Sequence, residues 1–194
     1  MTFTPRGAAI TVAIAMLATV ATQLFYVGVV SPADDALLRK INWVSEMALY
    51  SLIAAGALSL MARGTMPLVW SAIAIAGLVN VVQVGVGLSQ FGPAGEASDP
   101  KVFESVLGGA FFLYFHGKAM IGMAAIGAGL AAWADGTHLA KAFGAGCILS
   151  GLAAAVLNLL GMANGMAAVF AAGAAGTAAT AFLALTVLLT RRES

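Results

Sequence analysis

Glu46, His116 and Lys118 stand inside apolar runs of this chain, accompanied by the amides Gln23, Asn42, Asn80 and Gln83. A carboxylate and an imidazole form an acid–base pair, a carboxylate and an ammonium form an ion pair or proton site, and buried amides orient small polar molecules. The run around the two basic residues reads AFFLYFHGKAMIGMAAIGAGLAAW, more than twenty residues with little else that is polar. An ammonium at the centre of a spanning helix costs about 2.5–3.5 kcal/mol on insertion scales, so Lys118 needs a partner, a wet cavity or an interface.

The rest of the chain must place these groups in lipid. It is 61% hydrophobic and 9% charged, with a mean hydropathy of +0.99 over 194 residues, too little polar surface to clothe a soluble globule. At about 20 apolar residues per span, this length predicts an all-α polytopic bundle of six transmembrane helices forming a single domain over residues 1–194. The apolar windows fall at about 8–30, 41–62, 67–90, 106–133, 140–161 and 164–189. Pro, Gly, Asp and Asn collect in the breaks, and the weakest break is the turn GMANG. The first window is longer than the apolar core of a signal peptide, so it reads as an uncleaved helix.

Lys and Arg set the expected orientation. Arg6, Arg63, Lys141, Arg191 and Arg192 fall on one side, against Arg39, Lys40 and Lys101 on the other, which favours both termini inside. Gln23, Asn42, Glu46, Asn80 and Gln83 then lie in the outer leaflet, as do Asn158 and Asn164 near the ends of helices five and six. The opposite halves are mostly Ala, Leu, Ile, Val, Gly and Met. This asymmetry predicts a polar cavity opening outward above a floor of packed small residues.

Helical geometry divides the candidates. Asn42, Glu46 and Tyr50 share one face of a helix and Asn80 and Gln83 share another, whereas His116 and Lys118 diverge by about 200°. His116 goes with Phe112, Met120 and Met123; Lys118 goes with Tyr114 and Gly122. His116 is expected to turn toward Glu46 and the amides of helix three, where a neutral imidazole is cheap to bury. Lys118 is expected either to snorkel toward outer water or to pair with Glu46. His138 reads as a solvated connector, and Asn158 and Asn164 read as turn and capping residues. Helix six repeats small residues at Ala168, Ala172, Gly176, Thr180 and Ala184, and helix four carries Gly117, Gly122, Gly127 and Gly129, spacings that let backbones approach in lipid.

Several functions are disfavoured. Two histidines, one cysteine and scarce intramembrane carboxylates predict no metal site, and no cofactor is expected. No glycine-rich phosphate loop and no H-E-x-x-H, D-x-x-D or G-x-S-x-G pattern occurs. A net charge of +1 without a basic run disfavours nucleic acid. Partners should be membrane lipids, a small-molecule ligand, or other helices of a homo-oligomer or membrane complex.

The segments LLRKINWVSEMALYSLIAAGALSLMARGTMP and AFGAGCILSGLAAAVLNLLGM resemble a bacterial six-helix integral-membrane family, the DUF4386-like proteins. The likeness lies in span order, in the acid of the second helix, here Glu46, and in a small-residue-rich fifth helix. It implies a multi-pass protein of the cell inner membrane and supplies no reaction. The expected function is binding or transport of a small or lipophilic molecule in the outward cavity, with Glu46, His116, Lys118, Asn80, Gln83, Asn42 and Gln23 as ligand-binding candidates. A structural subunit of a larger membrane complex and a membrane enzyme acting on a lipid or quinone-like substrate are the alternatives; catalysis is not the leading expectation.

Overall fold

The computed structural model describes residues 4–64, 66–135 and 137–190, so Arg191 and Arg192 of the orientation argument lie outside the described residues. The described chain is helical, and six long helices are joined by short turns. Helix α1 runs over Pro5–Phe25 and continues through a π-helical turn, Tyr26–Val30, into Ser31–Ala33. It is followed by α2 (Ala36–Met61), α3 (Pro67–Gly95), α4 (Pro100–Asp135), α5 (His138–Asn164) and α6 (Val169–Leu189), with a 3-10 turn, Gly165–Ala168, between the last two. Five stretches are long and apolar enough to cross a membrane, the last being His138–Leu189, which α5 and α6 share.

Local chemistry sets the ends. Thr4 caps α1 by accepting from the Gly7 amide at 3.1 Å, Asp35 caps α2 by accepting from Leu37 and Leu38 at 2.8 and 3.1 Å, and Thr137 caps α5 by accepting from Ala140 at 3.3 Å. Proline opens α1, α3 and α4, where its missing N–H costs nothing. Gly165, at φ +72°, makes the reversal after α5 that a side chain would strain. The weak fifth break is therefore real, but centred slightly later than residues 161–164. Several helices also outrun their apolar windows: α4 begins at Pro100 rather than near 106, because Asp99 accepts from the Lys101 amide at 2.9 Å and starts the helix in the polar segment. Hydropathy marks the part of a helix that suits lipid, not where its hydrogen bonding stops.

Consecutive helices pack as neighbours, and α6 returns to pack on both α1 and α4. The ring is therefore α1–α2–α3–α4–α6, with α5 outside it in the groove of α4 and α6. Small residues make the close contacts: a Cβ on Gly122 would stand 2.7 Å from the Gly151 carbonyl oxygen, and one on Gly129 would stand 2.6 Å from that of Gly144. These contacts draw α4 and α5 together backbone to backbone, as small residues do in lipid. The ladder of α6 is buried from Ala172 through Gly176 and Thr180 to Ala184, as its spacing predicts.

Every helix also presents large apolar side chains outward, among them Ile14, Val44, Val82, Leu130, Leu159 and Phe170, the last 84% exposed. A soluble monomer rarely exposes so continuous an apolar surface. Together with the spans, it describes a helical bundle whose surroundings are lipid. The centre near Val12, Met16, Ala57, Ile73, Ala125 and Leu183 is close-packed and buried.

Candidate functional site

The ring of five helices surrounds a small cavity, with about 20 Å³ open to the centre of a water molecule. Helix α1 lines it with Met16 and Thr19, α2 with Tyr50 and Ile53, and α3 with Gly77 and Asn80. Lys118 of α4 and Thr180 of α6 complete the wall. Its polar groups come from all five helices, so only the assembled bundle creates it.

Lys118 lies mid-way along the 36-residue α4 and is 6% exposed. Its stem crosses α6 at Gly176, where a Cβ would stand 2.6 Å from its Cδ, and the ammonium donates to Thr177 Oγ1 at 3.4 Å. The Nζ also lies 5.6 Å from the centre of the Tyr114 ring one turn back. Tyr114 itself needs Gly173, where a Cβ would stand 2.7 Å from its hydroxyl. The glycines of α6 thus form a slot for this tyrosine–lysine pair. The ammonium does not escape toward water: the cation–π contact returns about 0.5–2 kcal/mol, and a single long hydrogen bond adds little, against an insertion cost of about 2.5–3.5 kcal/mol. Glu46, whose charge acts on the ammonium, offsets part of the balance.

Glu46 is 8% exposed and sits about 15 Å along α2 from its start. Thr22 of α1 and Asn42, one turn away, flank its carboxylate. Neither is a committed donor: the Thr22 hydroxyl proton goes to the Thr19 carbonyl at 3.0 Å, and the buried Asn42 Nδ2 has no hydrogen-bond partner. The carboxylate lies close enough to Lys118, Tyr26, Tyr50 and Tyr114 for its charge to act on each. No direct ion pair within 4.0 Å joins Glu46 to Lys118; the Arg39 Nη2–Asp34 Oδ1 contact at 2.6 Å belongs to the loop end. Opposite charges share the core at a separation, rather than cancelling in contact.

Asn80 is 2% exposed, and its Nδ2 donates to the Ala76 carbonyl at 2.7 Å. That bond fixes which amide atom is nitrogen, since a carbonyl oxygen can only accept. Asn80 Oδ1 is then a buried acceptor without a partner on the cavity wall. Gly117 of α4 makes room for this amide, because a Cβ there would run into Asn80 Nδ2. Toward the loop end, Trp43 stands one turn from Glu46 in a ladder of rings: Tyr26 at 6.3 Å, then Phe91 at 5.7 Å, with Phe103 a further 5.8 Å on. Four helices contribute to this aromatic layer over the Glu46 side of the site.

The candidates do not all converge. Glu46, Asn42, Asn80 and Lys118 are buried, but only Asn80 and Lys118 line the cavity; His116, Gln83 and Gln23 are half-buried and, like Glu46 and Asn42, off its wall. His116 makes no hydrogen bond with a described residue, and its companions Phe112 and Met123 are each 47% exposed. Helix α4 turns the Lys118 face inward, reversing the expected order of these two residues, because the glycine slot of α6 admits the lysine stem. Asn158 is no turn residue: it is fully buried, and its Nδ2 donates to Ala154 O at 2.8 Å and across to Ala172 O of α6 at 3.0 Å. Asn164 is exposed at the end of α5, and His138 is exposed at its start. The sequence reading missed Thr19, Thr177 and Thr180, whose hydroxyls look like ordinary small helix residues, whereas Tyr114, which it set on the face of Lys118, does lie against the ammonium. The chain matches no family model, no curated protein and no solved structure.

Proposed function

We propose that this is a multi-pass protein of the cell inner membrane, with both termini inside, that binds or transports a small polar molecule at the Glu46–Lys118–Asn80 site. The observation that carries the reading is that Lys118 and Asn80, the latter with a buried amide oxygen that has no partner, line one cavity, with buried Glu46 one turn along α2 from the cavity-lining Tyr50. Such groups are costly in lipid, and packing alone gives no reason to keep them. The cavity admits something of about water's size in this conformation, which favours a small hydrogen-bonding ligand over a lipophilic one. An enzyme using Glu46 and His116 as acid and base is disfavoured, because His116 faces away from the cavity.

The cavity's outward access is testable by thiol labelling. In a Cys147→Ala background, Thr180→Cys should react with Ag⁺, a thiol-reactive ion of about water's size, added from the outer side of right-side-out vesicles. Lys118→Trp, which fills the cavity, should slow that reaction. Labelling from the inner side alone, or none from either side, would sink the reading.

A further inference from the structure

We infer that the cavity is a binding site for water, in which one molecule accepts a hydrogen bond from Lys118 and donates one to Asn80 Oδ1. The inference rests on the site proposed above and names the chemistry that site takes: a neutral molecule with both a lone pair and a proton to offer.

The residues of the cavity wall divide by what their hydrogen bonds leave over. Thr19 donates to Met16 O at 2.7 Å and Thr180 donates to Gly176 O at 2.7 Å, so each hydroxyl has given up its proton and keeps lone pairs. Asn80 Nδ2 donates to Ala76 O and packs on the bare face of Gly117, while its Oδ1 is buried with no partner. Lys118 is the opposite case: three N–H donors, no lone pair, and one long contact, to Thr177 Oγ1 at 3.4 Å. Tyr50 adds a phenol, which can donate or accept. Among the described residues no hydrogen bond joins Lys118 to Asn80, so protons are left over on one and lone pairs on the other.

The occupant must accept from the ammonium and donate to the amide oxygen. A free metal cation would meet the lysine's charge, and an anion would meet the lone pairs of Asn80, Thr19 and Thr180. A hydrocarbon would leave both sets unsatisfied. Water meets both demands, and a volume of about 20 Å³ holds one molecule. A buried water also needs two to four polar partners, which this wall supplies. Silver in the labelling test is a separate case, since there the introduced thiol holds the ion.

The site follows from the assembly of the ring. Asn80 comes from α3 and Lys118 from α4, so a water between them bridges two helices that meet only at their backbones near Gly117. Any larger ligand that enters must displace this water and present a hydroxyl or a neutral amine to the same two groups, because a ligand without both functions would leave one of them unpaired. His116 lies off the wall and serves as the control.

Hydroxyl-radical footprinting of the full chain in lipid nanodiscs tests this with water alone as the probe. An X-ray pulse makes radicals from bound water as well as bulk water, and they attack the side chains beside which they form. Two buried sulfurs give the contrast: Met16 lines the cavity and Cys147 does not. Met16 should be oxidised, and Cys147 should be spared although a thiol is the more reactive group. The Met16 product should be largely lost in Lys118→Met with Asn80→Leu, which removes the donors and the free amide oxygen, since apolar cavities stay dry. It should persist in His116→Ala. If the double variant gives no monodisperse peak, Asn80→Leu alone serves, with a reduced yield expected. An unmodified Met16 in the wild type, equal modification of Met16 and Cys147, or a yield indifferent to these variants would overturn the water site. Silver labelling is decided separately: a silent Met16 beside a labelled Thr180→Cys variant leaves an open cavity that holds no water, and an oxidised Met16 without labelling leaves a held water without outward access.

Discussion

Asn80 and Asn158 start from the same local chemistry and end in different roles. Each is a buried asparagine whose Nδ2 donates to the carbonyl four residues back, at 2.7 and 2.8 Å, and each leaves its Oδ1 without a partner. Asn158 gives a second amide proton to Ala172 O, tying the outer helix α5 to α6. Asn80 instead borders a cavity that also holds Lys118. A buried amide is a clasp where the neighbouring helix supplies a carbonyl, and a site where the neighbours supply space and a charge. The predictions below set the tight α4–α5–α6 contact against the roomy α1–α2–α3–α4–α6 ring.

The largest effect belongs to the tight region. Gly151→Leu would put a side chain where even a Cβ stands 2.7 Å from the Gly122 carbonyl oxygen, which is fixed backbone. Overpacking of this kind costs about 3 kcal/mol or more, so the variant should lose its monodisperse size-exclusion peak. Gly85→Leu, in α3, meets nothing within 4 Å and should fold as the wild type does. Equal tolerance at both positions would remove the claim that α5 is held by close approach.

Next comes the ring, where the comparison predicts an opposite sign. Buried charges replaced together by apolar groups of similar volume are often neutral or stabilising by about 1–4 kcal/mol. Lys118→Met with Glu46→Leu should therefore unfold no earlier than the wild type in a thermal melt, its loss falling short of the sum of the two single variants by about 1–3 kcal/mol. Strict additivity would mean that the two charges do not act on each other. A gain in stability in the double variant would mark the two groups as kept for function.

The sequence made the frame of this molecule legible and its interior only partly so. Hydropathy and proline placement located six helices because lipid demands them segment by segment, and the small-residue ladder of α6 announced its own burial. The boundaries of α4 were missed by six residues because a capped helix continues into water, where hydropathy is silent. Glu46, Asn80 and Lys118 could be named as polar residues in lipid, but their convergence depends on α6 closing the ring onto α1 and α4, a non-local contact with no sequence period. Which face of α4 turns inward was decided by Gly173 and Gly176, sixty residues away, and their role was indistinguishable from plain packing until the Tyr114–Lys118 pair was seen lying across them.

Smaller still is the contrast between the two asparagines. Asn158→Ala removes an interhelical bond and should cost about 1–2 kcal/mol, near the upper end for such bonds in membranes with a packing loss added. Asn80→Ala removes a bond within one helix and relieves an unsatisfied oxygen, so it should cost about 0.5 kcal/mol. Denaturant or thermal unfolding in a fixed detergent would rank them. The reverse ranking would make Asn80 the structural residue and empty the comparison.

The smallest effect sharpens it most. His116 and Lys118 are two residues apart on one helix, and an imidazole is the side chain most often used for general acid–base chemistry. Its neighbours on that face, Phe112 and Met123, are each 47% exposed, and it makes no hydrogen bond with a described residue. His116→Ala should therefore shift stability by less than about 0.5 kcal/mol and leave thiol labelling unchanged. A large effect on either would require α4 to rotate in the working protein by roughly half a turn, since about 200° separates the two side chains. Such a rotation would pull Lys118 from its slot over Gly176, so the same experiment on Gly176→Ala separates the cases: a rotating helix would be biased toward its His116-inward state, whereas a fixed one would only be strained where the Cβ meets the lysine stem.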